Sequence, residues 1–163
     1  MQYYGLVPAA GRSTEKRGLI LSLHGASVEG IGQARVYSPK TWAHIVAPTN
    51  RRPYGFDWED WGRLDAIEVL ESAQKTLQTD PRKVYLTGHS MGGHGTWHVG
   101  ATYPDRFAAI APSAGWVSMF SYAGARRIEN PDPVAALAAR AMLPSDTLAL
   151  SKNYGMLGVY VLH

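Results

Sequence analysis

Ser90 is the residue whose setting best predicts chemistry. It is the central residue of a G-x-S-x-G pattern, residues 88–92, with an apolar run at 84–87 before it and helix-forming sequence after it. In that context a sharp strand-to-helix turn would hold the serine hydroxyl at the carboxyl edge of a sheet, with small neighbours because the backbone packs closely there. The following helix amino terminus would favour negative charge developing during attack on a carbonyl. A tight turn with a purely structural serine is the alternative.

The segment around His24 predicts the second half of such a site. A buried apolar run ends at Leu23 and is followed by His24-Gly25-Ala26. In folds with this turn, an oxyanion is bound by the N–H after the nucleophile and by an N–H from an upstream strand-to-helix loop. Those groups would be the Met91 and Ala26 N–H groups. His24 precedes the nucleophile, which favours a loop-organising role over proton transfer. An ordinary glycine turn is the alternative.

Three further side chains are candidates for contact with a substrate: His24, His89 and Trp116. Trp116 follows the apolar run 108–111, so it would lie at the carboxyl end of a strand, where ligands bind in open α/β sheets. His89 stands directly before the nucleophile.

The sequence predicts no metal and no organic cofactor. His94 and His98 have the i, i+4 spacing of zinc-binding histidines, but no Glu follows His94 and no third ligand is evident. The absence of cysteine excludes disulfides, thiolate catalysis and Cys-based zinc sites.

An aromatic group interleaved with acidic residues precedes the first long helix. It could line a groove for sugars or aromatic acyl groups, or it could pack over the sheet edge. Its members are Tyr54, Phe56, Trp58 and Trp61, with Asp57, Glu59 and Asp60.

Short apolar runs alternate with helical patterns, which predicts the α/β class with a mostly parallel sheet and helices on both faces. The predicted strands are residues 2–7, 19–23, 44–47, 84–87, 108–111 and 158–162. The predicted helices are residues 61–78, capped by Asp60, 91–102, 133–142 and a short one beginning at Ser145. The predicted buried stripe of the first helix is Trp61, Leu64, Ile67, Leu70, Ala73 and Leu77.

Composition limits the class of protein. The 163 residues are 45% apolar with a formal net charge of +3, as in a globular protein of one domain. The cations are scattered apart from Arg51-Arg52 and Arg126-Arg127, so no basic stripe indicates a nucleic-acid partner. No apolar run is long enough for a membrane span, and the first residues do not form a signal peptide. Neither a compartment nor an oligomeric state is indicated.

The block at residues 84–93, together with 103–107 and 111–115, resembles the catalytic core of α/β-hydrolases. It is most similar to prolyl-oligopeptidase-like and polyhydroxybutyrate-depolymerase or feruloyl-esterase-like serine hydrolases. The resemblance implies Ser90 as nucleophile, Met91 and Ala26 as oxyanion donors, and a small-molecule ester or a peptide as substrate, with an ester favoured.

The family's triad runs in the order Ser, acid, His, and the run 158–162 looks like the strand that precedes the acid. The acid and the histidine are therefore expected after residue 163, and residues 1–163 are expected to be one truncated α/β-hydrolase domain. Asp132 or Asp146 with His163 is the alternative inside the chain. A catalytically inactive hydrolase-like module is a further alternative.

Overall fold

The computed structural model describes residues 3–52, 55, 57–118, 122 and 128–163, and a mostly parallel sheet runs through them. Its strands follow the order β1-β3-β2-β4-β5-β6, with β1 antiparallel to β3 and every other neighbouring pair parallel. Their bounds are β1 Tyr4–Val7, β2 Gly18–Leu23, β3 Ala43–Pro48, β4 Val84–His89, β5 Ala109–Ser113 and β6 Gly158–Val159. The predicted α/β class is confirmed. Of the predicted first strand, Gln2 lies outside the described residues.

The central strands are the ones whose sequence is apolar on both faces. Leu19, Leu21 and Leu23 are fully buried on one face of β2, Ile20 and Ser22 on the other face are half-buried and buried, and β2 lies between β3 and β4. A strand covered on both faces cannot alternate polar and apolar residues without burying polar groups. The one polar exception, Ser22, accepts a hydrogen bond from Gln33 Nε2 at 2.9 Å.

The helices of the described chain are α1 Gly30–Arg35, α2 Trp61–Leu77, α3 Met91–Thr102 and α4 Pro133–Ala141. Short 3₁₀ turns cover Pro104–Arg106, Leu143–Ser145 and Ser151–Met156. None of these helices is both long and apolar enough to cross a membrane. The sequence does not predict α1, because six residues that include Gly30 and Gly32 carry no recognisable helical period.

Three predictions near element ends were wrong. Asp60 occupies the N-cap position of α2, but its side chain accepts no capping hydrogen bond. Ser145 ends a 3₁₀ turn instead of beginning a helix, since Pro144 directs the chain into that turn. The last strand is shorter than residues 158–162, although Leu162 still forms a bridge with Ser113.

The predicted buried stripe of α2 was also partly wrong. Leu70 and Ala73 are buried as expected, but Trp61 is 64% exposed and Leu64 is 39% exposed. The buried face of α2 is rotated by about one residue from the predicted one. Gly62 packs so closely against the Asp57 carbonyl oxygen that a Cβ at position 62 would collide with it, and this contact sets the rotation. Trp61 instead lies under the Arg51 guanidinium, 5.4 Å from the ring centroid, and this cation–π contact accommodates it at the surface.

Direct contacts between backbone atoms, at glycine residues, hold α3 against the sheet. A Cβ added at Gly92 would collide with the carbonyl oxygen of Leu23 in β2. One added at Gly88 would meet the carbonyl oxygen of Gly92, and one at Gly93 would meet that of Ser113. The chain can therefore turn from β4 into α3 only with glycine at these positions.

The close approach at Gly92 predicts a strongly destabilising substitution. We expect Gly92→Ala to lower the free energy of unfolding by more than about 3 kcal/mol, because rigid backbone has to move to admit the methyl group. Gly155→Ala is the matched control: nothing lies within 4 Å of its added Cβ, so it should be neutral or stabilising by up to about 1 kcal/mol. Urea unfolding measures both, and similar midpoints for the two variants would contradict the packing described.

Candidate active site

Ser90 lies at the sharp turn that the sequence predicts between β4 and α3. Its backbone has φ 56° and ψ −117°, a region that costs a non-glycine residue about 1–3 kcal/mol. Two hydrogen bonds hold the turn: Ser90 N–H donates to the Ser113 carbonyl at 2.9 Å, and His94 N–H donates to the Ser90 carbonyl at 3.1 Å. Ser90 is half-buried, and it is the residue before the first turn of α3.

The loop after β2 passes directly beside Ser90. A Cβ placed on Gly25 would lie 3.7 Å from the Ser90 Cβ and 3.3 Å from the His89 carbonyl oxygen. Ala26, the next residue, is exposed. Met91 is the first residue of α3, so its N–H has no acceptor within the helix. The two segments predicted to supply oxyanion donors therefore meet at the nucleophile candidate.

The side chain of His24 is buried beneath the loop after β2 and is not exposed to solvent. The ring is fully buried, its Nδ1 lies 2.9 Å from the Gly25 carbonyl, and it packs edge-on against Trp58 with centroids 4.9 Å apart. Trp58 Nε1–H donates to the His24 carbonyl at 3.0 Å. Burial lowers the pKa of His24 below its ordinary value, which favours the neutral ring. The predicted loop-organising role fits this geometry, whereas a substrate cannot touch a ring buried in this way.

The other two candidates for substrate contact are His89, the last residue of β4, and Trp116, which follows β5 in the chain. His89 is exposed, with Nδ1 3.3 Å from Ser113 Oγ. Trp116 is half-buried, and its indole stacks with His94, with centroids 4.8 Å apart, and with Tyr122 at 4.2 Å.

A buried polar cluster lies under Trp116, and the sequence analysis missed it. His94 Nε2 lies 2.8 Å from Glu59 Oε1 and 3.7 Å from Asp57 Oδ2, while Nδ1 lies 3.1 Å from the Trp116 carbonyl. The ligand atoms of Asp57, Glu59 and His94 lie within 4.8 Å of one another, so this set could hold a metal ion. The pairing joins residues 35 positions apart, and no local spacing could have indicated it.

His98 is not part of that cluster. Its ring lies 6.2 Å from that of His94, centroid to centroid, and burial lowers its pKa to about 4. The i, i+4 histidine pair singled out in the sequence is therefore a stack of rings and not a pair of converging ligands. Hydrogen bonds from His94 and Ser145 hold the pKa of Glu59 below its ordinary value against the opposing effect of burial.

Trp58 and Trp61, the two described members of the predicted aromatic group, do not share a surface. Trp58 is fully buried against His24, and Trp61 is exposed under Arg51. Tyr54 and Phe56 lie outside the described residues, as do Arg126 and Arg127.

A family model described as Esterase matches residues 28–150, which include α1, the turn at Ser90 and the cluster at His94. The chain belongs to the Esterase family. An acetylxylan esterase of Coprinopsis cinerea is 33% identical over 114 residues, which cover 70% of this chain and 27% of that protein. The poly(3-hydroxyalkanoate) depolymerase C of Paucimonas lemoignei is 29% identical over 117 residues, covering 60% of this chain and 27% of that protein. The chain thus spans about a quarter of each of these relatives.

The fold of this Esterase family member is shared with solved serine hydrolases. The fluorophosphonate-binding serine hydrolase F of Staphylococcus aureus superposes with a TM-score of 0.72 at 15% identity, covering 98% of this chain and 72% of that one. At that level of identity the similarity shows the fold alone, which is the predicted α/β-hydrolase fold.

The triad candidates inside the chain have different surroundings. Asp132 caps α4, where Oδ1 accepts from the Val134 and Ala135 N–H groups at 2.9 and 2.8 Å. Asp146 is buried and its Oδ1 accepts from the Leu148 N–H at 3.2 Å. His163 is exposed and follows Leu162, whose N–H donates to the Pro112 carbonyl at 3.0 Å. Among the hydrogen bonds of the described segments, none joins the Ser90 hydroxyl to a histidine.

The buried ring of His24 predicts a pH-dependent stability. A histidine whose pKa is lowered by folding stays neutral in the folded state while the unfolded chain takes up a proton below about pH 6.5. We therefore expect the free energy of unfolding to fall as pH falls from 6.5 toward the folded pKa, by at most about 1.4 kcal/mol per pH unit from this residue.

His24→Asn removes the titrating group and retains a side-chain N–H donor. We expect its stability to change less between pH 7 and pH 5 than that of the unmodified protein, as measured by urea unfolding at several pH values. The exposed His163→Asn is the matched control and should keep the original slope. Parallel curves for the unmodified protein and His24→Asn would show that His24 does not titrate differently on folding.

Proposed function

We propose that this protein is a serine esterase in which Ser90 attacks the carbonyl carbon of a carboxylic ester. The ester oxygen leaves as an alcohol, an acyl-enzyme forms on Ser90 Oγ, and water then hydrolyses it to the acid and the free serine. The observation that carries the proposal is the backbone of Ser90, held at φ 56° between β4 and α3 in a half-exposed position. Membership of the Esterase family supports it.

The surroundings of Ser90 suit the charge that this reaction develops. The Met91 N–H has no acceptor within the helix, and the Ala26 N–H belongs to the loop that passes Gly25 beside Ser90. We assign both as donors to the oxyanion of the tetrahedral intermediate. Each donor of this kind is worth about 3 kcal/mol of transition-state stabilisation in known hydrolases. The partial positive charge at the start of α3 acts in the same direction.

The proton of the Ser90 hydroxyl requires a base, and histidine has that role in the family's triad. We propose that this histidine and its orienting acid follow residue 163, as the motif order predicts. The alternative base is His163, which follows Leu162 at the carboxyl edge of the sheet, one strand beyond β5. We expect His163→Ala to retain activity, and complete loss in that variant would assign the base to His163.

The substrate we propose is a carboxylic ester with a short acyl group, either free or carried on a polymer. Two relatives that the chain matches are named for acetyl-xylan and poly(3-hydroxyalkanoate) esters, and neither is named for a peptide. No described residue indicates peptide binding, so the peptidase alternative is a matter for the assay.

Replacement of Ser90 tests the proposal directly when the assayed protein includes the residues after 163, where the proposed histidine and acid lie. We expect Ser90→Ala to lose at least about a thousandfold in the rate of p-nitrophenyl acetate hydrolysis and all labelling by a fluorophosphonate probe, because the acyl-accepting oxygen is gone. The control is Ser72→Ala, on the exposed face of α2, which should leave both readouts unchanged.

Three results would contradict the esterase proposal. They are equal hydrolysis by the unmodified protein and Ser90→Ala, a protein that neither hydrolyses the ester nor reacts with the probe, and faster cleavage of a peptide p-nitroanilide than of the ester. The second would favour a hydrolase-like module without catalysis.

A further inference from the structure

We propose that Asp57, Glu59 and His94 form a binding site for one divalent transition-metal ion, with Zn²⁺ as the best chemical match. The site is separate from the hydroxyl of Ser90 and does not depend on the esterase proposal. Three features of the structure support this site: the hydrogen-bond partners of His94, the types of the three ligand atoms, and the access of solvent to the two carboxylates.

The hydrogen bonds of His94 require a cation next to Nε2. Nδ1 lies 3.1 Å from the Trp116 carbonyl oxygen, which can only accept, so Nδ1 carries the hydrogen. In the neutral ring Nε2 is then a lone pair, and it faces Glu59 Oε1 at 2.8 Å and Asp57 Oδ2 at 3.7 Å. Ionised carboxylates also only accept. Either a proton on Nε2, which makes the 2.8 Å contact with Glu59 a hydrogen bond, or a metal ion in its place would remove the repulsion among these three acceptor atoms.

The orientation of the ring is the one that metal-bound histidines adopt. Such residues almost always donate the second ring N–H to a carbonyl or carboxylate, which fixes the tautomer and points the other nitrogen at the ion. The His94 ring is fully buried and is stacked on Trp116 at 4.8 Å. Its position is therefore set before any ion arrives.

The ligand set selects the class of ion. One imidazole nitrogen and two carboxylate oxygens within 4.8 Å of one another are the ligand types of zinc sites. Zinc bonds of about 2.0–2.2 Å separate neighbouring ligands by roughly 3–4 Å, so Glu59 Oε1, which lies 2.8 Å from His94 Nε2, would move slightly outward on binding. Calcium and magnesium prefer sets made only of oxygen. Three protein ligands also leave a coordination position for water, as in open zinc sites.

Solvent can reach the carboxylates. Asp57 and Glu59 line a cavity of about 440 Å³, and their side chains are 15% and 20% exposed while His94 is 0% exposed. An ion that enters the cavity meets these two carboxylates, and His94 Nε2 lies 2.8 Å from Glu59 Oε1. Asp57 is held in place by its Oδ1, which accepts from the Trp58 N–H at 2.5 Å.

Arg51 and Arg63 have other partners, and Arg52, which lines the same cavity, forms no ion pair with Asp57 or Glu59 among the described residues. Arg51 pairs with Glu68 at 2.6 Å, and Arg63 Nε–H donates to the backbone carbonyl of Glu59 at 2.9 Å. Within the described segments, the ion pairs of Asp57 and Glu59 are both with His94. With His94 neutral the two carboxylates carry two negative charges, which a divalent ion balances.

Binding at this site would join three segments that are distant in sequence. The carboxylates come from the segment before α2, His94 from the first turn of α3, and the carbonyl that orients His94 from the loop after β5. Since the His94 N–H also donates to the Ser90 carbonyl, the ion would stiffen the turn at Ser90.

Metal titration of the purified protein tests the inference. After removal of bound ions with a chelator, Zn²⁺ should bind at one ion per chain and raise the thermal unfolding midpoint, and Co²⁺ should give visible d–d bands. Asp57→Asn and Glu59→Gln should weaken Zn²⁺ binding at least about tenfold. Asp60→Asn is the matched control, since Asp60 lines the same cavity outside the cluster and should leave the affinity unchanged.

Two outcomes would overturn the metal site. One is the absence of saturable one-to-one binding, or an equal loss in Asp60→Asn. The other is a ¹⁵N NMR spectrum of the Zn²⁺-saturated protein in which His94 carries hydrogens on both nitrogens, because then a proton occupies the position between the carboxylates. If a variant fails to fold by circular dichroism, hyperfine-shifted His94 signals in the unmodified Co²⁺ protein decide the question.

Discussion

Close backbone packing between β2 and the start of α3 is the constraint on which the rest of the site depends. Gly92 lies against the Leu23 carbonyl, and Gly93 lies against that of Ser113, so α3 begins within contact distance of two strands. The chain can make this approach only by reversing sharply at Ser90, and the hydrogen bond from Ser90 N–H to the Ser113 carbonyl holds it there. The unfavourable backbone of Ser90 is therefore stabilised by contacts elsewhere, as strained functional positions generally are.

The same packing brings the loop after β2 to the turn. His24 is buried under Trp58 and bonded to the Gly25 carbonyl, and this arrangement orients the backbone that passes Ser90. The indole of Trp58 packs against His24 and bonds to its carbonyl oxygen. The side chains of its neighbours Asp57 and Glu59 instead face His94 and solvent. Adjacent residues of one segment thus support two different sites, one made of backbone N–H groups and one of acidic side chains.

His94 connects these two sites. Its backbone N–H donates to the Ser90 carbonyl, while its ring contacts Trp116, Glu59 and Asp57. A buried polar network is stabilising only when all of its members are satisfied. The structure meets that condition at His94 only with a cation beside Nε2, whether a metal ion or a proton, and either one ties the segment before α2 to the helix that follows Ser90.

The sequence alone was sufficient for the α/β class, for most strands and the two long helices, and for the turn at Ser90. These features depend on local steric rules and on apolar periodicity, which neighbouring residues carry. It was insufficient for α1, for the buried face of α2 and for the cluster at His94. Six residues with two glycines have no period to read, the rotation of α2 follows from the contact of Gly62 with Asp57, and Glu59 meets His94 across 35 positions. Contacts between distant segments are decided by how the elements pack, and only the tertiary structure could show them.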